Sequence, residues 1–174
     1  GIQKTLERLS ELLAKIQKAL GDYLETQRQA FARFYFVGDE DLLEIIGNSR
    51  DVVNVQRHFT KMFAGISTLV SPDNDTLIAM VSREDERVNY PNPVKISDDP
   101  AIYAWLSKVE NQMRDSLAYN LEQCVTRIAS NESFLEVASI FPAQIMLLAS
   151  QVDWSHRIEA NIPTKSLGTV EEYT

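Results

Sequence analysis

The strongest constraint on this chain is an apolar stripe of helical period in its second half. Ile102, Leu106, Val109, Met113, Leu117, Leu121, Cys124 and Ile128 recur at steps of three and four, so all eight share one face of an α-helix. At 1.5 Å per residue such a helix is about 45 Å long, more than a compact domain of this size needs. Asp98-Asp99-Pro100 precedes it, with acids suited to capping and a proline suited to the first turn. A rod that is greasy along one side must bury that side against other elements, so the fold is organised around helix packing.

A second seam supplies one partner. Leu6, Leu9, Leu13, Ile16, Leu20 and Tyr23 line a helix over about 3–30. Leu12 and Leu24 widen the seam beyond a coiled-coil stripe, so packing on neighbouring helices is expected rather than a two-stranded coil. Gly21 costs about 1 kcal/mol against alanine there and marks a slight bend. A ring-dense stretch, FARFYFVGDEDLLEIIGN, follows at 31–48. Asp39 is suited to an N-cap, Glu40 and Asp41 to the positive end of the helix that follows, and Gly47 to a left-handed C-cap. On this reading the three acids need no cationic partner. A third helix is expected over about 51–64, with Val52, Val55, Phe59 and Met62 on one face and Gly65 as its stop.

From 66 to 96 the texture changes to short β-branched runs broken by turn residues. ISTLVS, TLIAMVS and RVNY are separated by PDND and REDE, and Pro91 and Pro93 keep the last segment at a sheet edge or outside the sheet. After Asn131 a further helical pattern begins near Phe134 and Phe141-Pro142 and ends before Pro163. The expected class is therefore mainly α: an elongated helical bundle with a small antiparallel β meander inserted at about 66–96. Four segments follow: 1–65 helical, 66–97 meander, 98–162 helical, and a connecting tail over 163–174.

Composition excludes several functions. The net charge is −8; residues 1–65 balance nine Lys/Arg against nine Asp/Glu, and residues 66–174 hold eight against sixteen. No cationic cluster for phosphates is present, so the rings are not a nucleic-acid platform. No apolar run is long enough to span a bilayer, and the first residues lack the layout of a signal peptide. A single cysteine, Cys124, excludes an internal disulfide framework, suits a reducing compartment, and sits among apolar helix positions as a buried thiol. The six glycines form neither GxxxxGK nor GxGxxG, so no nucleotide cradle is expected. His58 and His156 lack a Cys or His at metal-ligand spacing. Asp153, Ser155 and His156 point in different directions on one helix and make no triad. Glu84-Asp85-Glu86 reads as a solvated turn rather than an acid–base pair.

Set side by side, several of these segments resemble the linker region of dynein heavy chains, of the cytoplasmic type. The carriers are IQKALGDYLE at 16–25, FARFYF at 31–36, GDEDLLEIIGN at 38–48, HFTKMFAGI at 58–66, SREDE at 82–86 and QIMLLASQVDWS at 144–155, with a looser match from Trp105 to Arg114. Ala32 departs from the pattern, which has proline there. The resemblance implies part of a helical lever that arches over a ring of AAA-type ATPase modules in a minus-end-directed microtubule motor, bending and straightening to give the power stroke. Its implied partners are that ring in the same heavy chain and, for the parent, microtubules and accessory chains, in the cytoplasm on the cytoskeleton. No cofactor is implied within these residues, ATP and Mg²⁺ belonging to the parent's ring. The same absence of catalytic motifs also fits a non-motor helical scaffold or adaptor module. A small hydrolase using Asp153 and His156 is a third class, and it predicts turnover lost in His156→Ala.

Within that frame the rings acquire roles. An extended backbone over 33–36 sends Phe34 and Phe36 to one face. With Phe31 they are expected to be wedges that lock the first helix to the helix at 39–47, a burial worth about 5–8 kcal/mol before strain and entropy. Arg33, Tyr35, Asp39, Glu40 and Asp41 are the candidates for contact with the ATPase ring.

Overall fold

The computed structural model describes residues 1–130 and 132–162; the expected tail lies outside them. A 29-residue helix, α1 (Ile2–Ala30), is followed by a 3-10 turn (Ala32–Phe36) and α2 (Asp39–Gly47). Two short helices, α3 (Val52–Gln56) and α4 (Phe59–Met62), lead into β1 (Ile66–Val70), β2 (Thr76–Ser82) and β3 (Arg87–Lys95). The long α5 (Ile102–Ala129), the short α6 (Phe134–Ala138) and α7 (Ala143–Asn161) complete the described chain. The class is mainly helical with one small antiparallel sheet.

The strands pair in sequence order, β1-β2-β3, both pairs antiparallel. Leu77 lies opposite Val94 and Ala79 opposite Asn89, so β3 bulges between those pairs. Pro91 and Pro93 fall inside the bulge, where no ladder donor is needed. Each outer strand has a backbone amide taken by a helix side chain. Leu69 N donates to Gln56 Oε1 (2.9 Å), and Asn92 N donates to Gln112 Oε1 (3.0 Å). Such covering blunts an exposed edge against pairing with another chain.

Two cores lie along α5. The larger joins Leu24, Phe31, Phe34 and Val37 to Leu42 and Ile45 of α2, the α3–α4 face, the sheet, and Ile102, Trp105, Leu106, Val109 and Met113. One core thus takes residues from three of the four segments marked out above, 1–65, 66–97 and 98–162. The smaller gathers Cys124, Val137, Phe141, Ile145, Met146 and Ala149, with Leu117 and Leu121 packed against it. Cys124 is fully buried; its Sγ–H donates to Met146 Sδ (3.4 Å), and burial pushes the thiol pKa up.

Several local expectations are corrected. The seam of α1 is not packed by the described residues: residues 1–23 are all exposed, and Leu24 is the buried residue of the helix. The backbone turns away at Phe31 (φ −141°), so the following elements reach only the last turns of α1. The helix expected over 51–64 is broken at Arg57–His58 into α3, capped at its start by Asp51 through Val53 N (3.0 Å) and Asn54 N (3.4 Å), and α4. Its apolar residues keep one face across the break, which is why periodicity reads straight through it. Gly47 is not left-handed; it ends α2 and Asn48 caps, its Nδ2 donating to Glu44 O (2.9 Å). Asp98 and Asp99 do not cap α5, whose N-cap is Ala101; Asp99 pairs with Lys108 (2.7 Å). Glu86 is more than a solvated turn residue, because its Oε1 accepts from Ala143 N (2.9 Å) and holds the start of α7.

Candidate functional site

The joint between α1 and α2 concentrates the residues singled out in the sequence. Phe31 N donates to Gln27 O to finish α1, then Phe34 N bonds Phe31 O and Val37 N bonds Phe34 O, each about one 3-10 step apart. Residues three apart eclipse in such a turn, so Phe31 and Phe34 fall on one side. Their rings meet edge-on, with centroids 5.0 Å apart and an interplanar angle of 75°. Phe31 is 4% exposed and Phe34 fully buried. Phe36 is 71% exposed, which corrects its assignment as a wedge. A period of two was expected across this stretch, but the backbone coils with a period of three and carries Phe36 away from the core.

Arg28 fastens the joint. Its guanidinium donates to Phe34 O (3.4 Å), to Val37 O (3.0 Å) and to Asp39 Oδ1 (2.7 Å), so one side chain from the last turn of α1 holds both the 3-10 turn and the start of α2. A planar fork with several fixed donors suits that task better than an ammonium. Sequence reasoning passed over Arg28, since no local pattern reveals contacts made through a chain reversal.

The five candidate surface residues divide. Arg33 turns inward: Nη1 donates to Met62 O (2.9 Å), Nη2 pairs with Glu110 of α5 (3.2 Å), and its guanidinium lies 4.5 Å from the centre of the Phe63 ring. It ties the 3-10 turn to α4 and α5, with 35% of its side chain left accessible. Tyr35 stays exposed; its hydroxyl donates to Glu25 (2.7 Å), and that bond raises its pKa. Gly38, rather than Asp39, is the N-cap of α2, and Asp39, Glu40 and Asp41 fill its first turn. Two of these acids do have cationic partners, contrary to the sequence expectation. Asp39 pairs with Arg28, and Asp41 with Lys61 (2.6 Å), whose hydrogen bond lowers the Asp41 pKa. Glu40 is exposed.

His58, at the α3–α4 break, is buried beside α2. Its Nδ1 lies 3.4 Å from Asp41 Oδ1 and its Nε2 lies 3.4 Å from Glu44 Oε2. Among the described residues this is the one group of three His, Cys or acidic side chains with converging ligand atoms, all within 4.8 Å of one another. A search for Cys and His spacing missed it because two of the three members are carboxylates from another helix. Trp105 fastens the α2–α3 connection, its Nε1 donating to Ser49 O (3.0 Å).

Elsewhere, Asp153 is engaged by Arg157 on its own helix (2.9 Å), and Ser155 and His156 are exposed. An open cleft of about 520 Å³ lies between β3, α5 and the turn before α7, lined by Arg87, Asn89, Tyr90, Tyr119 and Asn120 among others. No helix among the described residues is long and apolar enough to cross a membrane.

Comparison with known proteins gives one consistent result. The family model described as dynein heavy chain, N-terminal region 2, matches residues 1–124. A cytoplasmic dynein heavy chain of Paramecium tetraurelia is 57% identical over 164 residues, covering 92% of this chain and 4% of that protein. The cytoplasmic heavy chain of Dictyostelium discoideum is 48% identical over 164 residues, covering 91% and 4%. A dynein heavy chain-like protein 1 of Plasmodium falciparum is 44% identical over 171 residues, covering 91% and 3%. The chain thus spans about 3–4% of the length of these relatives. It belongs to the dynein heavy chain family, within the stretch called N-terminal region 2.

Proposed function

We propose that these residues are part of the mechanical linker of a cytoplasmic dynein heavy chain, a lever that bends and straightens over an ATPase ring to drive movement along microtubules. Family membership supports the motor context, and the observation that carries the lever reading is the fastened α1–α2 joint. A force applied along α1 passes through the buried Phe31–Phe34 pair into the core, and Arg28 spans the Val37–Gly38 step by binding Val37 O and Asp39 on either side of Gly38. Nucleotide hydrolysis then belongs to modules elsewhere in the parent polypeptide, and the chemistry of these residues is structural. The exposed seam of α1, including Leu6 (60% exposed) and Ile16 (62%), is completed in the parent by neighbouring helices, giving an elongated bundle. Tyr35, Phe36 and Glu40 form the exposed face of the joint and are the residues offered to the ring.

A lever has two docked positions, and nucleotide selects between them by differential contact. The test places fluorescent labels on α1 at Glu11 and on the first ATPase module of the intact heavy chain. Transfer efficiency should take two values, switching with nucleotide state. A single value through the whole cycle overturns the lever reading and favours a static scaffold.

A further inference from the structure

The geometry around His58 has an electrostatic problem that a cation solves. Both ring nitrogens face carboxylate oxygens, Nδ1 towards Asp41 and Nε2 towards Glu44, each at 3.4 Å. His58 is only 6% exposed, and neither nitrogen makes a hydrogen bond. Carboxylates only accept. A neutral imidazole has one N–H and one lone pair, so one carboxylate is left facing a lone pair with nothing positive between. The gap is filled either by a second proton or by a metal ion.

The distances distinguish these. A charge-assisted N–H···O bond closes to about 2.7–2.9 Å, well short of the separation seen. With Zn–N and Zn–O bonds of about 2.0–2.1 Å, tetrahedral donors stand about 3.3–3.4 Å apart along each edge. Each 3.4 Å separation matches one edge of a coordination sphere; the two involve different ring nitrogens, and the three donor atoms lie within 4.8 Å of one another, so the second carboxylate would close on the ligating nitrogen by a side-chain rotation. We propose that Asp41, Glu44 and His58 form a binding site for a divalent transition-metal cation of the Zn²⁺ class. One imidazole nitrogen and the two carboxylates are the ligands, and the exposed side, where Glu44 is 47% accessible, admits a water to complete four-coordination. Lys61 occupies Asp41 Oδ2 and leaves Oδ1 for the ion, though its charge weakens binding. The ion would cross-link α2 to the α3–α4 break beside the fastened joint, whether or not the chain works as a lever.

The test uses metal-stripped 174-residue chain titrated with Zn²⁺ by calorimetry, with Co²⁺ absorption as a report on geometry and Mg²⁺ as a hard-ion control. One equivalent of Zn²⁺ should bind and raise the melting temperature. Co²⁺ should give the intense visible bands of a tetrahedral site, and Mg²⁺ should do neither. His58→Gln and Glu44→Ala should each weaken Zn²⁺ binding at least tenfold. Lys61→Ala should tighten it, and His156→Ala should leave it unchanged. Glu44 is exposed, so Glu44→Ala keeps the test usable if His58→Gln does not fold. No binding at millimolar Zn²⁺, binding that survives Glu44→Ala, or binding that disappears with His156→Ala overturns the proposal. A ring carrying both protons by ¹⁵N NMR and unmoved by Zn²⁺ would show that the second proton fills the gap instead.

Discussion

Replacing Phe34 by alanine should be among the most damaging single changes in the chain, while the same change at Phe36 should be nearly silent. Phe34 is fully buried, and its ring packs edge-on against Phe31 between the end of α1 and the main core. Truncating a buried phenylalanine costs about 3–5 kcal/mol, from lost transfer free energy and the cavity left behind. Domains of this size are stable by about 5–15 kcal/mol, so the loss takes a large share of the total. Phe36, at 71% exposed, should change stability by about 0.5 kcal/mol or less. Urea unfolding followed by circular dichroism measures both. A double-mutant cycle with Phe31→Ala should return a coupling of about 0.5–1.5 kcal/mol for the edge-on pair. Equal costs at 34 and 36, or a Phe34→Ala cost below about 1 kcal/mol, would refute the period-three turn as the basis of the joint.

Arg28→Lys keeps the charge but loses the fork that reaches two carbonyls and Asp39. It should cost about 1–2 kcal/mol in the same unfolding assay, and an unchanged midpoint would mean the clamp carries nothing. Trp105→Phe keeps the ring volume and removes the bond to Ser49 O, so thermal melting should show about 1 kcal/mol lost. Asp73 accepts from Asp75 N (3.0 Å), Thr76 N (2.6 Å) and Thr76 Oγ1 (2.9 Å), the backbone bond from Thr76 contributing most to a pKa pushed down to about 2. A folded-state pKa below the unfolded one means the contribution is present above about pH 4 and disappears as pH falls through about 2. Between those limits the wild-type chain should lose more stability than Asp73→Asn, and parallel pH profiles would contradict this.

Much of this architecture was readable in the residues. The stripe through Ile102, Leu106, Val109 and Met113 has a length and period that only a helix satisfies, and the buried face of α5 follows it. The meander was legible because PDND and REDE mark turns between β-branched runs. The 3-10 turn was not, because five residues are too few to separate a period of two from a period of three, and Phe36 was misplaced for that reason. The break at His58 was hidden for a related cause: Val55 and Phe59 keep one apolar face through it, and no glycine or proline marks it. The fastening residues Arg28, Arg33 and His58 act on carbonyls, rings and carboxylates brought close by chain reversal, and no spacing rule reports such contacts. The α1 seam was seen correctly as apolar, while no partner for it stands among the described residues.

The central claim is that load passes from α1 into the core through the buried Phe34 joint. It is tested most directly by Phe34→Ala in an intact heavy chain, with microtubule gliding and ATPase activity measured on the same preparation. The account predicts that gliding slows severalfold while ATP turnover stays close to wild type, because the fuel-consuming modules are intact and only their coupling is loosened. Equal loss of both activities, or no loss of either, would contradict it.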